Sequence, residues 1–419
     1  MTTESRRRPT IRSQPGREPG DPGRSIHPLW QAAYRPFFLF AGLWAILVPS
    51  IWLWPGQLGF ARGLWHAHEL LFATGGAAVG GYVLTALTSW TGRPPVSTSE
   101  LKMLVGLWLM ARLSLVCADF LPIAVLLAGA VGYFVVLGLV MVRELVAARV
   151  TSKVSLVLAL AVLTVLDGLF VGQLQEPGVL PWVPLATVLV FAFLISVVGG
   201  RAIPAFTRNS LPDIDAALSV RSECRHGALY SGSLVLAAVS AVIFPDAWGG
   251  TGLIAAGGLQ LWRMRDWQSL RAWQNSSLLL LHAAWVWLPA GLVLTGVALV
   301  RPDLYSLKDA VHALSMGAMG TMIVAVSGRA AMARTGGPLV AGRALLVAFV
   351  LIWLATLARV LAPFMPARGA DPIAGAAILW MAGWSIYLLA IRPALSGPVM
   401  RPVFSGPRRQ RDRSGRSNS

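Results

Sequence analysis

Twelve stretches of mostly apolar residues, each long enough to cross a bilayer, constrain this chain more than any other feature. A spanning helix needs about 20 such residues, because a rise of about 1.5 Å per residue then matches a hydrocarbon core of about 30 Å. The stretches run over 36–54, 64–88, 101–118, 120–142, 154–172, 179–200, 225–244, 246–262, 277–299, 309–331, 343–362 and 373–391. In lipid the backbone must satisfy its own hydrogen bonds, which leaves helices or closed barrels. The alternating pattern of barrel strands is absent. Of the 419 residues 56% are hydrophobic and only 13% charged, which leaves no room for a soluble domain. The expected fold is all-α: a polytopic membrane protein with about twelve transmembrane helices over 26–392. Tails at 1–25 and 393–419 are basic and expected to be disordered. Residues 1–25 hold Arg, Pro, Gly and Ser without an apolar stretch, unlike a signal peptide.

The net charge of +17 invites a nucleic-acid reading, but its distribution argues against one. With the N-terminus inside, 29 of the 35 lysines and arginines fall on inner segments. Only Arg62, Arg301, Lys308 and Arg368 fall in outer loops, while Arg112 and Arg359 lie within spans. This is the positive-inside pattern. It predicts a multi-pass protein with both termini cytoplasmic and the basic tails against anionic lipid. Cys117 and Cys224 fall on opposite sides and should not pair. No phosphate loop with lysine, nucleophile elbow or paired-cysteine zinc spacing occurs.

Ionisable groups at membrane depth are expensive and point to function. Trp65-His66-Ala67-His68-Glu69 opens the second span and Asp309-Ala310-Val311-His312 opens the tenth. Both spans run from outside to inside, so His66, His68 and His312 share one layer near the outer surface. On an ideal helix residues two apart point about 200° apart, so His66 and His68 cannot both face one metal unless the first turn is irregular. One of them should meet His312 across a cofactor while the other turns to a second partner. A haem iron held by two opposed imidazoles suits that arrangement, with His68 and His312 as axial ligands and His66 as the alternative. Glu69, three residues from His66, is placed to orient its ring. Arg62 and Arg301 are candidates for the haem propionates or for interfacial anchors. His282 lies on the order of 10 Å into the ninth span from the other side, as a ligand for a second haem or copper or as a histidine packed on Trp285 or Trp287. Asp167, in the fifth span, suits a proton relay or an ion pair. His226 and His27 read as interfacial.

From His68 to Thr91 and from His312 to Thr335 the interval is the same. The endings Gly200-Arg201-Ala202 and Gly328-Arg329-Ala330 are also alike. A four-helix unit repeated three times would place spans 2, 6 and 10 in equivalent positions. Gly75, Gly76, Gly80, Gly81, Gly317, Gly320 and Gly328 give spans 2 and 10 small faces, for close packing or for a flat cofactor.

Several motifs together resemble the NnrS family: Tyr34-Arg35-Pro36-Phe37-Phe38, Leu64-Trp65-His66-Ala67-His68-Glu69, Thr91-Gly92-Arg93-Pro94-Pro95, Gly199-Gly200-Arg201-Ala202-Ile203-Pro204-Ala205-Phe206-Thr207-Arg208-Asn209, and His312-Ala313-Leu314 with Gly317-Ala318-Met319-Gly320-Thr321-Met322. The likeness runs from about residue 27 to 391. It implies a bacterial inner-membrane protein that contains haem, expected as haem b, and copper, linked to denitrification and relief of nitric oxide stress. It carries His66, His68 and His312 as ligands, with His282 behind them. Family members often have a histidine where this chain has Arg334. The layout is also similar to the haem–copper oxidases, although segment 6 lacks a copper-binding histidine and segment 7 a histidine pair, so oxygen reduction at a binuclear centre is not expected. The rival readings are a twelve-helix secondary transporter and an assembly partner of a respiratory complex.

Overall fold

The computed structural model describes residues 26–53, 61–210, 220, 227–332, 339–365, 371–401 and 403–404. The expected tail 1–25, most of the tail from 405 on, Cys224, His226, Arg334 and Arg368 lie outside these residues. Each of the twelve apolar stretches is helical. We label the helices α1 (Tyr34–Leu47), α2 (Arg62–Thr91), α3 (Thr98–Val116), α4 (Ile123–Ala147), α5 (Val154–Gln175), α6 (Val183–Ser210), α7 (Gly227–Ile243), α8 (Ala247–Arg263), α9 (Ser276–Val300), α10 (Leu307–Ala331), α11 (Arg343–Leu361) and α12 (Pro372–Ser396). Among the described residues nine of these are long and apolar enough to cross a membrane. The other three are α3, which carries Glu100, Lys102 and Arg112, and the shorter α7 and α8, of 17 residues each. The molecule is an all-α polytopic membrane protein.

Lipid is the environment its surface demands. Leu113, Val116, Leu139, Val146 and Leu236 are each more than 60% exposed, which water would not tolerate over so wide a band. Consecutive helices pack side by side, and α12 closes the bundle against α1. Burial separates an inner set from an outer one. α2, α6 and α10 are 78%, 72% and 72% buried, whereas α4, α11 and α12 are at 33–39%. The most buried helices are therefore spaced four apart in the chain, as a four-helix unit would place them.

Two of these three share an irregularity. α2 is α-helical from Arg62 to His68, a π-helix from Glu69 to Gly75, and α-helical again from Gly76. α10 is α-helical from Leu307 to His312, a π-helix over Ala313–Gly320, and α-helical from Thr321. Each π segment begins at the residue after a histidine, and the two pack against each other at the centre. Such segments widen the turn and rotate the helix before them relative to the helix beyond, and they mark functional sites. α6 is helical throughout Val183–Ser210, with Pro204 inside it, so the shared break belongs to α2 and α10 alone among these three.

Several of these small-face glycines are packed against by neighbouring side chains. A Cβ on Gly75 would fall 2.8 Å from the Phe191 ring, one on Gly317 2.6 Å from Trp287, and one on Gly320 2.6 Å from Trp380. On α2, Gly80 meets the Tyr133 hydroxyl, which donates to the Gly76 carbonyl (3.0 Å). Gly80→Ala is therefore expected to cost about 1–3 kcal/mol through overpacking. Gly106→Ala, at an exposed position of α3 with open space around it, should leave thermal unfolding in detergent unchanged.

Candidate functional site

A buried charged network sits where α2 turns from α to π. His68 Nδ1 lies 3.0 Å from Glu69 Oε1, and His68 Nε2 lies 2.8 Å from Asp167 Oδ1 on α5. Arg112 on α3 adds an ion pair to Glu69 at 3.2 Å, and the Trp44 indole donates to the other Glu69 oxygen at 2.5 Å. His68, Glu69, Asp167 and Arg112 are all at most 4% exposed. The rings of Phe72 and Phe170 lie 4.9 and 5.4 Å from the imidazole and wall off water. With both carboxylates ionised they only accept hydrogen bonds, so both nitrogens of His68 then carry hydrogen and neither has a lone pair to offer. Imidazolium and guanidinium then balance the two carboxylates, which is the condition for burying such groups at all.

His66 and His312 form the second feature. His66 is in the last α-helical turn before the π segment of α2 and lies within electrostatic reach of His312 and of Arg359 on α11. The Trp52 indole donates to His66 Nδ1 at 3.2 Å, its ring edge-on at 5.5 Å. On α10 the chain builds its start locally: Ser306 caps the helix by accepting from the Asp309 N–H (3.2 Å). Asp309 pairs with Arg359 at 2.6 Å. His312 Nδ1 donates to the Lys308 carbonyl one turn back, at 2.7 Å. That bond leaves Nε2 with its lone pair free, the tautomer in which histidines bind metals. His66 is held the other way, because an indole can only donate. To offer Nε2 it must exchange the indole at Nδ1 for an acceptor.

The structure gives two of the expected site residues partners that the sequence did not. His66 lies within electrostatic reach of His312, while both nitrogens of His68, the expected axial ligand, lie against carboxylates. Glu69 orients His68, not His66, because the buried Arg112 and Trp44 hold its carboxylate on the far side. Asp167 and Arg112 were legible as intramembrane charges, but Asp167 as the partner of His68 and Arg112 as the partner of Glu69 were not.

The remaining candidates lie apart from these. His282 is at the opposite end of the bundle, in the second turn of α9, and both its nitrogens are engaged by hydroxyls: Ser269 at 2.9 Å and Thr207 at 3.0 Å. Its aromatic neighbour is Trp267, with ring centres 6.1 Å apart, instead of the expected Trp285 or Trp287. Arg301, which follows α9, is exposed and grips Asp303 through two contacts at 3.0 and 2.8 Å. That guanidinium holds the Asp303 carboxyl below the usual carboxylate range. Arg62 begins α2, one turn before His66. His27 caps the short 3-10 turn Pro28–Gln31.

Among the described residues no group of three or more His, Cys, Asp or Glu side chains converges as a metal cage. A haem asks for less, since its ring supplies four nitrogens and the protein adds one or two axial imidazoles. His312 fits that demand as it stands, and His66 fits it in position.

Comparison with known proteins gives one family: the family model described as NnrS protein matches residues 28–398. No curated protein matches the chain.

The network around His68 makes a sharp prediction. Asp167→Ala leaves a buried imidazolium short of a counter-charge and should cost about 3–5 kcal/mol. Asp303→Ala removes an exposed pair and should cost at most about 1 kcal/mol. Denaturation in detergent, followed by helical circular dichroism, distinguishes the two.

Proposed function

The chain belongs to the NnrS family, and from that premise we propose that it is an integral membrane protein carrying haem b that serves nitric oxide metabolism or tolerance in association with denitrification. The observation that supports this most is that two imidazoles from distant parts of the chain, His66 and His312, lie within electrostatic reach of each other. Of the two, His312 already holds the metal-binding tautomer. In this reading His66 and His312 hold the iron, and Arg62 and Arg301 supply cationic side chains at the same end for the haem carboxylates. Bound haem supplies an iron that takes up nitric oxide. The protein's own contribution is to hold the rings, to keep Glu69 and Asp167 neutralised beneath them, and to exclude water with Phe72 and Phe170. The copper that the family resemblance implies finds no three-ligand cage among the described residues, so the proposal rests on haem.

The distribution of lysine and arginine supports insertion in the bacterial inner membrane with both termini cytoplasmic and the histidine end outward. A second reading, a twelve-helix secondary transporter, draws on the buried Arg112–Glu69–His68–Asp167 network, since such intramembrane charges also serve ion pathways.

A reduced-minus-oxidised optical spectrum of the detergent-purified protein separates them. The haem reading predicts six-coordinate haem b bands that vanish in His312→Ala, are lost or shifted to a five-coordinate form in His66→Ala, and persist in His282→Ala. A colourless wild-type protein that accumulates solute in vesicles would establish the transporter instead.

A further inference from the structure

Beneath the two π segments the bundle holds a partly open apolar cavity of about 110 Å³. It lies between α2, α5, α6 and α10, with Phe38 of α1 and Leu281 of α9 completing its wall. Its position relative to the histidines is the same on both helices. Gly75 and Met319, which line it, are each the seventh residue after a histidine, His68 and His312 respectively. At helical rise that is on the order of 10 Å below the histidine layer. The opposite end is covered by the chain's own C-terminal segment. Phe404 stacks on Tyr82 (5.5 Å) and packs on Phe38 (6.2 Å), both of them lining residues. The Phe404 carbonyl accepts from Arg329 at 2.6 Å, and Arg329 in turn lies over the lining ring of Phe206.

The lining decides what class of molecule fits. Apart from backbone, only Tyr82 and Ser327 bring polar atoms to it. The Ser327 hydroxyl is already committed, donating to the Ile323 carbonyl (2.5 Å) and accepting from Tyr387 (2.7 Å). A quinone head or a lipid headgroup would find no set of donors here. A water molecule needs two to four polar partners and would not find them either. An engineered apolar void of about 150 Å³ stays dry and takes benzene or xenon. We propose that this cavity is a binding site for small, uncharged, apolar molecules of the dissolved-gas class, held about two turns from the histidine pair. That the natural occupant is nitric oxide rests on the function proposed above; that the cavity takes a gas does not.

Xenon is the probe. Crystals of the full-length protein, pressurised with xenon, should show an anomalous peak between Ala78, Leu194 and Met322. Ala78→Phe, which fills the space from α2, should lower the xenon occupancy at least fivefold. Val198→Phe fills it from α6 and serves if the first variant does not fold. No peak in the wild type, or an undiminished peak in a folded filled variant, overturns the proposal. A xenon peak in a protein that proves colourless would keep the cavity and reject the haem reading, so the two fail separately. With haem present, the bimolecular rate of nitric oxide binding after flash photolysis should fall in the same variants.

Discussion

The clasp of His68 by Glu69 on one side and Asp167 on the other is the interaction on which the rest of this structure depends. Four ionisable groups from α2, α3 and α5 are withdrawn from water at a depth where an unpaired charge costs several kcal/mol. They are tolerable only as a set, so the three helices cannot shift relative to one another without exposing one of them. Trp44 brings α1 into the same set through Glu69. The network therefore does for the polar residues what side-chain packing does for the glycine faces: it allows one arrangement of α1, α2, α3 and α5.

Fixing His68 in this way decides what its neighbours are free to do. The π segment of α2 begins at Glu69, immediately beyond the clasp, and the matching segment of α10 begins immediately beyond His312. With His68 turned inward to the carboxylates, His66 is the ring left to face α10. The division of labour between the two histidines is thus a consequence of charge burial. The one that meets two carboxylates becomes structural, and the one that meets an indole and another imidazole is available for chemistry. The cavity below belongs to the same construction, because the residues that end the two π segments, Gly75 and Met319 among them, form its upper wall.

Much of this was legible in the chain itself. An all-α polytopic membrane protein follows from the length of the apolar stretches, nine of which are long and apolar enough to span among the described residues. The central place of α2, α6 and α10 follows from the spacing of their shared endings. What could not be read was the identity of partners. A period of 3.6 residues predicts which residues share a helical face, but nothing in the local sequence announces that the period widens after His68 and His312. Glu69 was assigned to His66 by that regular period, and the assignment failed where the helix becomes irregular. Asp167 stands 99 positions from His68, and only the three-dimensional fold brings them together. The glycines were ambiguous for a related reason: a small face is compatible with a neighbour's ring or with a ligand, and Phe191, Trp287 and Trp380 lie too far along the chain to be matched to it in advance.

The central claim is that His66, and not His68, faces His312. Intramolecular cross-linking of cysteine pairs tests it most directly, in a chain whose own Cys117 and Cys224 are replaced by serine. A short bifunctional thiol reagent should join His66→Cys to His312→Cys in membranes, seen by mass spectrometry as one cross-linked peptide pair. The His68→Cys and His312→Cys pair should remain unlinked. Efficient linking through position 68 with none through position 66 would contradict the account.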